Sequence, residues 1–135
     1  MHRYLVLAIA LGLAPLEPAE AAPMRMATFE KVALSGSRLT LGSFSSLEPT
    51  CRSLGRMTIS IIDPPHDGHV QVGQGQAFPN FPMFNARARC NVRKRPATFV
   101  FYTATPGYTG PDDFSIEIVD PAGNVGRARY RVTVR

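Results

Sequence analysis

Several function classes leave no trace in this chain. It has no Gly-x-Ser-x-Gly, no Cys-x-x-Cys, and only two cysteines and three histidines in 135 residues. Without a nucleophile elbow, and with so few histidines, a hydrolase triad has no support. Neither cysteine lies near a histidine in the sequence, which argues against catalytic thiol chemistry. No apolar run reaches the roughly 20 residues that a membrane-spanning helix needs. Past the N-terminal leader, no helical period lasts three turns. Lysine is scarce as well: of 15 basic residues, only Lys31 and Lys94 are lysines.

What is present begins with an export signal. His2 and Arg3 form a short basic segment, and Leu5 to Leu16 a 12-residue apolar run broken by Gly12 and Pro15. Ala19-Glu20-Ala21 then supplies small residues at the cleavage site. Residues 1–21 are therefore expected to be a signal peptide and 22–135 the mature domain; an uncleaved anchor is the alternative. The expected location is outside the cytoplasm, periplasmic or extracellular. In that setting Cys51 and Cys90 are expected to form an intrachain disulfide. Ala88, Cys90 and Val92 alternate on one apolar face, which is expected to bury the bridge in the core. Removing Arg3, Glu17 and Glu20 leaves 14 basic and 8 acidic residues, a net +6. Such a balance suits anionic partners, or solubility alone.

Period-2 runs separated by Gly and Pro signals predict an all-β fold, an antiparallel sandwich of seven to eight strands. The expected strands are 28–34, 38–44, 57–62, 69–72, 87–95, 98–103, 114–119 and 126–135. Ile-rich 57–62 reads as a central strand. The segment 73–85 reads as an apolar loop, because two prolines interrupt it. In the last strand Ala128, Tyr130, Val132 and Val134 face the core. Arg127, Arg129, Arg131, Thr133 and Arg135 face out, and a one-residue slip would bury the arginines.

The C-terminal half resembles the cadherin-like and immunoglobulin-like repeats of bacterial surface proteins. The residues that carry the likeness are Tyr102, Pro106-Gly107-Tyr108, Gly110, Asp112-Asp113-Phe114, Asp120 to Asn124 and Tyr130 to Val134. Upstream, Pro65, Gly68 and Val70 match the start of a strand in the same repeats. The resemblance implies an immunoglobulin-like fold, an extracytoplasmic setting and an adhesion or spacer role. It transfers no catalytic residue. The single copy and the insertion over 73–95 depart from the ordinary repeat.

Four constellations are candidate sites. Arg87, Arg89, Arg93 and Arg95 alternate in one segment, as do Arg127, Arg129, Arg131 and Arg135 in another. On neighbouring strands they would form a basic plate for phosphate, sulfate or carboxylate groups. A charged face that only keeps the sheet soluble is the competing reading. Phe78, Phe81, Met83 and Phe84 form either an exposed apolar contact loop or a lid over the core. Asp63, His66, Asp67 and His69 fall within seven residues and suggest zinc or copper, or else a solvated turn. Asp112, Asp113 and Asp120 suggest calcium, or else carboxylates that cap backbone N–H groups.

The sequence thus points to a non-enzymatic exported binding or structural module of the cell envelope. The alternative is a small metal-binding domain or metalloenzyme built on His66 and His69. No cofactor is expected. The candidate partners are an anionic polysaccharide, a lipid headgroup or an envelope protein; the aromatics are not arranged as a stacking platform for nucleic acid.

Overall fold

The computed structural model describes residues 26–135, so the expected signal peptide lies outside the described residues. Nine strands follow in chain order: β1 (Ala27–Ala33), β2 (Arg38–Phe44), β3 (Ser46–Leu47), β4 (Ser53–Gly55), β5 (Thr58–Asp63), β6 (Gly68–Ala77), β7 (Arg95–Ala104), β8 (Gly110–Val119) and β9 (Val125–Val134). They form a four-stranded sheet in the order β1-β9-β8-β5, a three-stranded sheet in the order β2-β7-β6, and a β3-β4 ribbon. The pairs are antiparallel except β1 and β9, which run parallel.

The alternating apolar residues of the long strands meet between the two sheets. Phe114, Ile116, Ala128, Tyr130, Val132 and Val134 come from the first sheet, and Leu41, Val100, Tyr102 and Ala104 from the second. Tyr102, Phe114 and Tyr130 stack in series, with ring centroids 5.8 and 5.2 Å apart. β9 has the expected register: its even-numbered residues from Ala128 to Val134 are buried and Arg127, Arg129 and Arg131 are exposed. A hairpin joins it to β8 through Asp120–Asn124, where the Asp120 carboxylate accepts the Ala122 and Asn124 N–H groups, each at 2.9 Å. Gly123 takes φ 88° there, a conformation open to glycine at little cost.

Four expectations need correction. β5 is an edge strand, paired only with β8, and Ile61 and Ile62 on it are exposed. β6 does not stop at Val72 but runs unbroken to Ala77, because β7 continues as its partner down to Arg95. The segment Arg87–Arg95 is no strand: Ala88–Val92 forms a 3₁₀ turn. Its backbone bonds are local, from Ala88 N–H to Asn85 O and from Cys90 N–H to Arg87 O. The Asn85 side chain accepts the Arg87 N–H, and this local bonding competes with a sheet ladder. Finally, the disulfide lies outside the main core. Cys51 and Cys90 pack with Leu47 and Phe81 in a second, smaller cluster.

Candidate functional site

The two arginine groups are not brought together. Arg127, Arg129 and Arg131 lie on the outer face of β9, whereas Arg87 and Arg89 belong to the 3₁₀ segment and Arg95 opens β7 in the other sheet. Arg87 Nε donates to Leu47 O at 2.5 Å and Arg89 Nε to Pro49 O at 2.7 Å, so both clasp the segment before Cys51. On β9, register supplies each arginine with an acid. Arg127 pairs with Glu117 of β8 at 2.8 Å, and Arg131 with Glu30 of β1 at 3.5 Å. Arg129 donates to Asp113 of β8 through Nε at 2.9 Å and also through Nη2. The face is an alternation of charge rather than a basic plate. Arg135 follows β9, and its backbone bonds to Ala33 and Ser35.

The apolar loop keeps part of its expected character. Phe81 is the lid: it packs on the disulfide cluster. Asn91 clasps it on both sides, accepting the Phe81 N–H at 3.0 Å and donating to the Phe81 carbonyl at 2.9 Å. Phe78, Met83 and Phe84 face solvent, Met83 at 95% and Phe84 at 93% exposure. Val92, expected on a core-facing strand face, is 76% exposed on the outgoing limb of the same loop. Arg93 and Lys94 follow it, both exposed, and Lys94 Nζ lies 5.9 Å from the Phe78 ring centroid. Among the described residues neither has a carboxylate partner. The disulfide, with Cα atoms 5.4 Å apart, fixes one end of this loop and the Phe81–Asn91 clasp its middle. Cys51 takes φ 70°, unusual for a residue with a Cβ, within a turn in which its N–H donates to Glu48 O at 2.8 Å. The result is a small, rigidly anchored surface, apolar at its tip and cationic beside it.

The aspartates cap backbone. Asp112 accepts the His66 and Asp67 N–H groups at 2.9 and 3.1 Å, the Asp113 N–H at 2.9 Å and the Tyr102 hydroxyl at 2.7 Å. Burial first, and then this bond to Asp112, push the Tyr102 phenol well above its ordinary range. Around them is a cleft of about 480 Å³ lined by Glu30, His66, Asp67, Asp112, Asp113 and Arg131. Of its four carboxylates, Asp112, Asp113 and Glu30 are engaged by backbone N–H groups or arginines, as given above, and Asp67 uses its backbone N–H toward Asp112. His69 lies in β6 opposite Thr103, and Asp63 ends β5. Among the described residues no three His, Cys, Asp or Glu side chains gather as an ion's ligands would. Sequence reasoning missed Val92 and Lys94 as surface residues; the signal available was Asn85, a residue type that makes local turns and here accepts the Arg87 N–H.

Among the described residues no helix is long and apolar enough to cross a membrane. The disulfide fits an oxidising compartment. No family model matches the chain, and no curated protein matches it. A solved structure, the solution structure of Amebosin, is similar over 82% of this chain and 99% of its own, with 10% identity and a TM-score of 0.41. A likeness that weak carries no argument about function.

Proposed function

We propose that this chain is a non-enzymatic, exported immunoglobulin-like (cadherin-like) binding module that docks on an anionic lipid surface through its stapled loop. One observation carries the reading. Met83, Phe84 and Val92 are exposed together with Arg93 and Lys94, on a loop anchored by the Cys51–Cys90 bridge. Fully exposed apolar side chains are costly in water and favourable at a headgroup boundary. Unpaired cations beside them suit a negative surface potential. A polysaccharide would use the cations and could stack a sugar face on Phe84, but would leave Met83 and Val92 without a role. The leader and the disulfide support an extracytoplasmic setting.

The test is co-sedimentation of the mature protein with vesicles of phosphatidylcholine alone and with added phosphatidylglycerol. Retention is expected on the anionic vesicles, falling with salt, and weak on the neutral ones. A Met83→Ser/Phe84→Ser variant should lose most of it while keeping the far-UV spectrum of the parent. Equal retention by that variant, or none by the parent at low salt, overturns the reading.

A further inference from the structure

Four strands end the two sheets, and each leaves a row of backbone N–H and C=O groups without a partner strand. Three of them carry the features that discourage another strand from adding. β1 places Glu30 and Lys31 along its length. β2 opens with Arg38 and has a register shift between Thr40 and Gly42. β5 is short, shifts register between Ile61 and Asp63, and runs into Pro64-Pro65. Charge, bulges and proline are the usual protections of a sheet edge.

β6 has none of them. Its ten residues, Gly68–Ala77, contain no Lys, Arg, Asp, Glu or Pro. It pairs with β7 without a register shift and, among the described residues, has no strand on its other side. Six of the ten, His69, Gln71, Val72, Gln74, Gly75 and Gln76, are exposed. Glycine would ordinarily loosen such a strand. Here the Phe101 and Phe99 rings of β7 lie over Gly73 and Gly75, where a Cβ would stand 3.1 and 2.9 Å from the rings. These two rings stack, 5.8 Å apart and 5° from parallel. The edge is therefore unbroken in register and braced from within its own sheet.

We infer that the β6 edge is a self-association surface, pairing antiparallel with β6 of a second copy of this chain. The charge distribution selects the occupant. The chain carries a formal net charge of +5, so two copies repel at most apposed surfaces. β1 carries Glu30 and Lys31, β2 Arg38 and β5 Asp63, so β6 is the one edge among the described residues with no charged side chain, and two copies meet there without apposing like charges. A two-fold pairing also brings each residue type against its own strand, where like charges directly opposite would destabilise. In a pairing centred on the strand, His69 of one copy stands opposite Gln76 of the other, and no like charges meet. The two three-stranded sheets then become one continuous sheet of six. The two-fold symmetry closes the contact, so the edge is filled and no filament propagates.

Two measurements test this on the mature protein. Sedimentation velocity over a concentration series should show a monomer–dimer equilibrium. Amide hydrogen exchange should show β6 amides becoming protected as concentration rises, while β1, β2 and β5 edge amides stay unchanged. In a Gln71→Lys/Gln76→Lys variant the dimer should weaken at least tenfold at low salt, with the circular dichroism of the parent. The wild-type exchange pattern decides the matter even if that variant folds poorly. A monomer at every concentration overturns the inference. So does a dimer whose β6 amides stay unprotected. Protection of β6 that appears only with an added extended peptide, and never with concentration, replaces self-pairing with a donated strand. None of these outcomes depends on lipid, so failure here and failure of vesicle binding are distinguishable.

Discussion

The Tyr102 hydroxyl of β7 donates to the Asp112 carboxylate of β8 at 2.7 Å, joining the two sheets through a buried polar contact. The same carboxylate takes the His66 and Asp67 N–H groups of the turn that carries the chain from β5 to β6. One side chain thus ties together both sheets and the crossover between them. Removing it orphans four donors at once. Asp112→Ala is expected to cost about 3 kcal/mol or more, and Tyr102→Phe about 1.5 kcal/mol. Urea unfolding of both variants measures this; equal midpoints for Asp112→Ala and the parent would contradict it.

Gly68 belongs to the same junction. A Cβ there would stand 2.7 Å from the Thr103 carbonyl oxygen and 2.7 Å from the Tyr102 ring. The backbone oxygen cannot give way, so Gly68→Ala should destabilise by about 2 kcal/mol or more. Gly75→Ala meets only the edge of the Phe99 ring, which can swing aside. Its thermal midpoint should fall much less, and a reversed order of the two variants would refute the account.

The buried Tyr102 phenol also sets an alkaline limit. Its folded-state titration is raised, chiefly by burial and then by the bond to Asp112. A raised value means that the neutral form is favoured in the fold. That stabilisation is complete below the ordinary tyrosine range near pH 10, and is lost as the pH rises above it. Stability measured from pH 8 upward should therefore fall on a steeper limb in the parent than in Tyr102→Phe. Parallel limbs would exclude Tyr102 as the cause.

The bridge Cys51–Cys90 spans 39 positions. Loop-closure entropy puts its contribution at about 4 kcal/mol. Because it sits in the smaller cluster, Cys51→Ser/Cys90→Ser should keep the β-sheet circular dichroism while the loop opens. Limited proteolysis should then cut between Phe78 and Arg93 well before the strands. Resistance of that loop after reduction would show that Phe81 and Asn91 hold it alone.

The β9 arginines, each already paired, should matter little for anionic surfaces. Replacing Arg127, Arg129 and Arg131 with Gln is expected to reduce retention on anionic vesicles less than replacing Arg93 and Lys94 with Gln. The opposite ranking would move the contact to the β9 face.

Much of the fold was legible in the chain. The alternation of Ala128 to Val134 against the arginines is a local pattern, and burial of one face fixes its register. The Asp120 turn is equally local, since its donors lie within four residues of the acceptor. The disulfide followed from having two cysteines and a leader. The alternation of Arg87 to Arg95 misled because period 2 says nothing about whether a partner strand exists. There the partner was Cys51; the Asn85 side chain closed the turn locally, and Asn91 clasped Phe81 across the loop.

The sequence by itself determined most of the strand-forming segments, though not 87–95 or the full length of β6, together with the covalent link and the Asp120 turn, because each rests on residues close together in the chain or on a bond between two side chains. Only the tertiary structure decided which acid neutralises Arg127, Arg129 and Arg131, which edge stays unguarded, and why Gly68, Tyr102 and Asp112 belong together. Those depend on strand order and register, and the paired residues come from different strands. Arg131 and Glu30 are 101 positions apart and meet only because β1 lies parallel against β9.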